Sequence, residues 1–333
     1  MSRQMPPDSR LDASIPDVSE AKEQPLSRGA VIGLSVLMTL LFAGTWIFSG
    51  LLIDHHSPQV VATGRTLFTC LGLLLIAGRS RGALRRSVQE VVRRPWALLI
   101  SGLLGVAIYA WFSLAAMSLV GTSVTNLVIT LSPAFTLVFG VLFFRERSSW
   151  FAAAAVLLAV LGAAVYVLGS FGDPVPGGAA GGAGYLWGVA AAVVAVSSIA
   201  LYGQHYARIS RGHRPTDLLL GIFGFGAIVL LILTAATGSL GEYLTLSALD
   251  WLWFFVLGVV IYVPVYIIQH RLIHDRGAVF TATLGLATPF VIRISEVLLG
   301  WKTWPNAIEL IGMLACLAGV AAVIRQGTRK LAD

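Results

Sequence analysis

Three charges are read inside the apolar stretches of this 333-residue sequence: Arg65, Arg293 and Glu296. Such a group is costly to hold in an apolar run, so each is a candidate for binding, coupling or pairing. Arg293 and Glu296 are three residues apart and share a helical face. Two chemistries are open to them. They can neutralise one another as a buried ion pair. Alternatively, Arg293 can grip a carboxylate with its planar fork while Glu296 meets an ammonium, which would hold a zwitterion. Glu296 is also a candidate carrier of a coupling proton. Polar and aromatic groups inside other stretches are candidates for lining a path: Trp46, Tyr109, Trp111, Asn126, Thr130, Tyr202, His205, Tyr262 and Tyr266. Asn126 needs a partner if lipid surrounds its helix. Trp46 and Tyr202 are expected to form opposite walls of one cavity.

Other chemistries are excluded or weak. His270 and His274 are four apart beside Asp275, a spacing that suits a metal, but Arg271 and Arg276 flank them and the glutamate of a zinc-protease motif is missing. No metal and no cofactor is expected. Cys70 and Cys316 have no C-x-x-C spacing and read as packing residues. The glycines between Gly172 and Gly184 precede no lysine, and no phosphate-binding loop is present, so direct drive by ATP is not expected. An intramembrane enzyme would need Glu296 and His205 together, yet the topology derived below puts them toward opposite faces. The chain therefore reads as a non-enzyme.

The elements that position these groups are ten apolar stretches, near 30–52, 58–77, 97–117, 122–143, 150–169, 185–207, 217–238, 251–269, 278–300 and 305–324. Each is long enough to cross a hydrocarbon core of about 30 Å as helix. Lysines and arginines fall in alternate gaps: Arg79 to Arg94, Arg145 and Arg147, Arg208 to Arg214, Arg271 and Arg276, and Arg325 to Lys330. The opposite gaps hold Asp54, Asp173, Glu242 and Asp250, with Lys302 as their one cation. Basic loops stay cytoplasmic. The reading is an all-α polytopic membrane protein of the inner or plasma membrane, with ten transmembrane helices and both termini cytoplasmic. The chain is 57% apolar and 12% charged, which fits a single embedded bundle. Its net charge of +7 follows from the loop bias, so no nucleic-acid partner is expected, and anionic lipid headgroups are the expected partners of the 79–94 loop.

Residues 1–28 read as a disordered cytoplasmic tail, 29–169 as a first block of five spans, 170–184 as a Gly/Pro-rich linker, 185–325 as a second block and 326–333 as a basic tail. Five is odd, so the second block is inverted relative to the first, the construction of many secondary transporters. Gly121 aligns with Gly277, Thr125 with Thr281 and Pro133 with Pro289. A proline inside a span frees a carbonyl, which marks the Pro133 and Pro289 helices as gating or cavity-lining elements.

At this point the sequence resembles the drug/metabolite transporter superfamily, and within it the EamA-type ten-helix transporters. The carriers of the resemblance are Ala43-Gly44-Thr45-Trp46-Ile47-Phe48, Pro58 followed by Arg65, Pro133 followed by Arg145-Glu146-Arg147, and Tyr206-Ala207-Arg208. It covers roughly 30–325. One departure stands out: where the second half of the family often ends its fourth span with Gly-Glu, this chain has Lys302, and its acid, Glu296, sits deeper. The resemblance implies export of small polar metabolites, amino acids among them, by alternating access, with a small-molecule substrate and possible use of protons as coupling ion. A carrier of organic ions or drugs is the alternative. It also implies a fold or gating role for Arg65.

Overall fold

The computed structural model describes residues 26–53, 55–79, 81–129, 131–145, 149–169, 183–300 and 303–329. Every regular element among them is helical. In chain order they are α1 (Arg28–Ile53), α2 (Pro58–Gly78), α3 (Arg81–Arg93), α4 (Pro95–Gly102), α5 (Tyr109–Ile129), α6 (Ser132–Leu142), α7 (Trp150–Gly169), α8 (Ala183–Ile209), α9 (Pro215–Ala236), α10 (Ala248–Phe255), α11 (Val263–Arg276), α12 (Ala278–Leu284), α13 (Thr288–Leu298) and α14 (Ala307–Arg329). Among the described residues, seven helical segments are long and apolar enough to cross a membrane, and Ser132–Leu142, Trp150–Tyr166 and Ala307–Val323 are shorter apolar helices. The start signals are local. Pro58, Pro95, Pro133, Pro215 and Pro289 stand in the first turn of their helices, where the missing N–H costs nothing.

Two π-helical segments break the regularity at matching places. Leu103–Ile108 follows the eight residues of α4, and Val256–Tyr262 follows the eight residues of α10. A π turn leaves carbonyls misaligned, and inside lipid another protein group must meet them. Hydroxyls from distant helices do so: Ser198 of α8 donates to the Leu104 carbonyl at 2.5 Å, and Thr69 of α2 donates to the Gly258 carbonyl at 3.2 Å. Each π segment also carries a glycine under close packing. A Cβ at Gly105 would fall 2.5 Å from the Tyr202 ring, and one at Gly258 would run into Phe68. Helices α1 and α2 thus pack on the second π segment, while α8 and α9 pack on the first.

The same exchange recurs elsewhere. Helix α7 lies along α14, α6 against α12, and α2 against α9. The α7–α14 contact is backbone on backbone: Gly162 and Gly169 face Cys316 and Glu309, while Gly312 and Gly319 face Tyr166 and Ala159. Small residues seven apart keep one face of each helix flat, the packing that suits lipid-embedded helices. Their other faces carry Leu157, Leu161 and Leu168, and Leu310, Leu314 and Leu317, all exposed. Such stripes fit a lipid solvent.

Four sequence expectations are corrected. The basic segment 79–94 is not a loop: α3 is a helix docked on α9. The break expected near 118–121 is not a break in helix, since α5 runs unbroken from Tyr109 to Ile129. The run from the first π segment through α5 and α6 packs along α8: Gly105 meets Tyr202, Val120 meets Gly188, Val128 shares an apolar cluster with Ala191, Ala192 and Val196, and Gln204 Nε2 donates to the Thr136 carbonyl at 3.0 Å. Charges inside the apolar stretches are more than three, because Asp217 and Glu309 are buried in the first turns of α9 and α14. Finally, the tail does not reach residue 28. Leu26 N–H donates to Asp275 at 3.2 Å and Arg276 donates to the Leu26 carbonyl at 2.9 Å, which fixes the chain ahead of α1. Residues 1–25, 170–182 and 330–333 lie outside the described residues, and with them most of the tails and linker.

Candidate functional site

Arg65 is the centre of the site. It sits two turns into α2 and is 5% exposed. Its Nη1 donates to Ser49 Oγ of α1 at 3.2 Å, and its guanidinium lies over the Tyr262 ring, 5.1 Å from the centroid. Among the described residues, Ser49 is its one hydrogen-bond partner. A cation–π contact stabilises a desolvated guanidinium by roughly 2 kcal/mol and leaves its net charge uncompensated. Arg65 is therefore a fixed, buried cation with donors to spare. Tyr109 is close enough to Arg65 and Tyr262 for the three to interact electrostatically, so α5, α2 and the second π segment converge here.

From Tyr262 the site continues along one helix face. Tyr262, Tyr266 and His270 are four residues apart, so their rings stack up one side of the helix over about 12 Å of axis. Centroids are 5.3 Å apart for Tyr262–Tyr266 and 5.9 Å for Tyr266–His270. Tyr202 and Tyr206 of α8 close the lane from the other side. Tyr206 packs edge-on to His270 at 4.4 Å, and the Tyr202 hydroxyl hydrogen-bonds His270 Nε2. With its Nε2 bonded to Tyr202, His270 brings Nδ1 to the Tyr266 carbonyl at 2.5 Å. The Tyr206 hydroxyl is fully buried and has no hydrogen-bond partner among the described residues. A buried hydroxyl left so costs about 1–3 kcal/mol, a cost that a ligand group or water at that point would relieve.

The other expected residues are placed as follows. Trp46 is half-buried and packs on the core cluster that includes Tyr202, with no ring contact between the two. Arg293 is buried and lies 3.4 Å from Glu309 on α14. Glu309 does a second job: its Oε2 accepts the Asn306 N–H at 2.7 Å while Asn306 Oδ1 accepts the Glu309 N–H at 2.9 Å. This is a reciprocal cap on α14, and Asn306 Nδ2 extends it to the Gly169 carbonyl of α7 at 2.9 Å. The side chains of Asn126 and Glu296 lie outside the described residues. Pro133 is buried and Pro289 half-buried, each just after a break in its helix. The carbonyl that Pro289 frees, that of Gly285, accepts from the Thr288 N–H instead. His270 joins an aromatic lane and belongs to no metal cluster among the described residues.

Sequence reasoning missed Ser49, Tyr206 and Glu309, and treated His270 only as a metal candidate. The signals existed. Tyr202 and Tyr206 are four apart, as are Tyr262, Tyr266 and His270, and Asn306-x-x-Glu309 is a helix-start signature.

Comparison with known proteins places this geometry. Residues 29–168 match the EamA-like transporter family. A relative from Synechocystis sp., named uncharacterized transporter sll1164, is 25% identical over 261 residues, covering 76% of this chain and 72% of its own. A solved crystal structure superposes with a TM-score of 0.68 at 21% identity, over 91% of this chain and all of that one, so the fold is shared. The resemblance read from the motifs is thereby shown. Residues 29–168 are thus similar to EamA-like transporters, and the long apolar helices together with the relative named a transporter support a multi-pass membrane transporter.

Proposed function

We propose that this EamA-type chain carries small carboxylate-bearing metabolites, amino acids foremost, outward across the inner or plasma membrane by alternating access. The observation that supports it is Arg65: a buried cation in mid-molecule whose described partners are one hydroxyl and one aromatic face. A planar fork with spare donors is the natural receptor for a carboxylate. The tyrosine faces beside it suit an ammonium or an apolar side chain. Arg293, by contrast, already faces Glu309, which favours Arg65 as anchor and Arg293 as a brace between α13 and α14.

The two blocks, 29–169 and 185–325, are inverted repeats in this reading, with ten crossings and both termini cytoplasmic. Matched π segments and reciprocal packing support it. The π segments and the breaks before Pro133 and Pro289 are the points where each block bends during the cycle. Trp46 and Tyr202 line the cavity, with Tyr109 and Tyr262 near the anchor. Helix α3 lies on the cytoplasmic leaflet. Val88 and Val92 of α3, and Trp96 at the start of α4, are exposed beside the exposed Arg85, Arg93 and Arg94, a pattern that suits anionic headgroups.

The test is flux in proteoliposomes with a panel of labelled amino acids, organic anions and organic cations, with and without a pH gradient. Arg65→Gln should abolish flux of the carboxylate substrate, and Arg65→Lys should retain part of it. Undiminished flux in Arg65→Gln, or flux of organic cations alone, would refute the anchor.

A further inference from the structure

His56 and His213 hold the same station in the two halves of the chain. Each stands two residues ahead of the proline that opens the second helix of its block, in His56-Ser57-Pro58 and His213-Arg214-Pro215. Each reaches across to the other block. His56 Nδ1 is 3.4 Å from Glu242, in the connector after α9. His213 Nε2 is 3.5 Å from Glu90 of α3, in the connector after α2. The two contacts are images of one another under exchange of the blocks. Helix α2 runs between them for 21 residues, about 30 Å, so they lie at opposite ends of the bundle. In the two-block reading, opening either mouth has to break the contact at that end.

Their surroundings differ. His56 Nε2 also stands 3.1 Å from Asp250 Oδ1, at ion-pair distance without the alignment of a hydrogen bond. Glu242 further accepts the Ser57 N–H at 2.8 Å, the Tyr243 hydroxyl donates to the Val60 carbonyl at 2.8 Å, and Asp250 is held by Ser247. His55 is exposed next to this cluster, and Asp54 lies outside the described residues. No lysine or arginine is among its described partners. At the other end, Arg86 Nε donates to Asp217 at 2.9 Å, Arg94 reaches the Ile209 carbonyl at 3.5 Å, and Arg208, Arg211 and Arg214 flank His213. That end keeps permanent cations whatever the state of its histidine.

We propose that the two contacts are the gate latches of the transport cycle, and that the His56 latch is a proton-binding site: protonated, it ties Glu242 and Asp250 together and holds its mouth shut; deprotonated, it lets that mouth open. The His213 mouth, backed by Arg86 and Asp217, stays closed over the same pH range. The inference rests on the two-block reading above and adds to it a ligand, the proton, and a place for it. Histidine suits the task because its charge changes between about pH 5 and 8.

The test needs no substrate, so its failure is distinct from failure of the transport reading. Pulsed electron–electron resonance is measured in lipid nanodiscs on a chain carrying Cys70→Ala and Cys316→Ala. Spin labels sit on His55→Cys and Leu244→Cys at one mouth, and on Arg93→Cys and Arg211→Cys at the other. Raising the pH from about 5 to about 8 should lengthen the first distance and leave the second unchanged. His56→Gln should show the long distance at both pH values, and Glu242→Gln should do the same. The exchanged pair, His56→Glu with Glu242→His, should restore the response. The second label pair reports that each variant is folded. A first distance that ignores pH in the parent chain, or a pH response that survives His56→Gln, overturns the proposal.

Discussion

The Arg293–Glu309 pair offers the sharpest test of what holds the α7–α14 end together. Both side chains are almost fully buried, at 4% and 2% exposure, and their charged atoms are 3.4 Å apart. With an effective dielectric constant of 20, two unit charges at that distance attract by about 5 kcal/mol, most of it offset by the cost of desolvating them. The net value of the pair is therefore small, but the cost of breaking it is not. Arg293→Met should leave the Glu309 carboxylate buried without that cation and destabilise the fold by about 3–5 kcal/mol. Glu309→Gln keeps an oxygen to accept the Asn306 N–H, so it should cost less than Glu309→Ala, which loses the cap as well. The double variant Arg293→Met with Glu309→Gln should recover most of the loss, because no charge is then stranded. The assay is equilibrium unfolding in mixed micelles, followed by tryptophan fluorescence, on the four forms of the cycle. Additive effects, or a single-variant loss below about 0.5 kcal/mol, would refute the reasoning. Flux measured in parallel separates the roles: a brace loses stability first, whereas a ligand anchor loses flux with stability intact.

Three further outcomes follow from particular contacts. Gly162→Leu puts a branched side chain where even a Cβ would collide with the α14 backbone at Cys316, so little folded protein should survive extraction, as size-exclusion chromatography would show. Tyr206→Phe removes a buried hydroxyl with no described partner, so stability should hold or rise by about 1 kcal/mol while transport falls if the hydroxyl meets substrate; an unfolding curve shifted to lower stability would mean an unseen partner. Val88→Glu and Val92→Glu should weaken binding of α3 to anionic bilayers, and equal quenching of a label on α3 by brominated lipids in parent and variants would contradict that placement.

What the sequence disclosed depended on the range of the signal. Helices and their starts are set by runs of apolar residues and by prolines at first turns, so the apolar stretches reappear as helix among the described residues, with breaks just before Pro133 and Pro289, while the boundary expected near 118–121 does not. Arg65 could be singled out because a charge in an apolar run is conspicuous wherever it points. Its partners could not. Ser49 reads as one more small residue of α1, and Tyr262 meets the guanidinium only because a π segment turns that face of its helix toward α2. Glu309 was hidden for a different reason. A carboxylate one turn into a helix looks like an interfacial residue, and only its distance to Arg293 reveals a buried charge. The His-x-Pro repetition carried no weight by itself, since two short matches 157 residues apart arise readily in any chain of this length. It gains meaning from the glutamates that each histidine reaches, one in the connector of the opposite block at each end. Pairing between blocks is thus the level at which linear pattern stops informing. In the alternating-access reading proposed above, it is also the level at which the cycle acts, because contacts between blocks are the ones that motion of one block against the other makes and breaks.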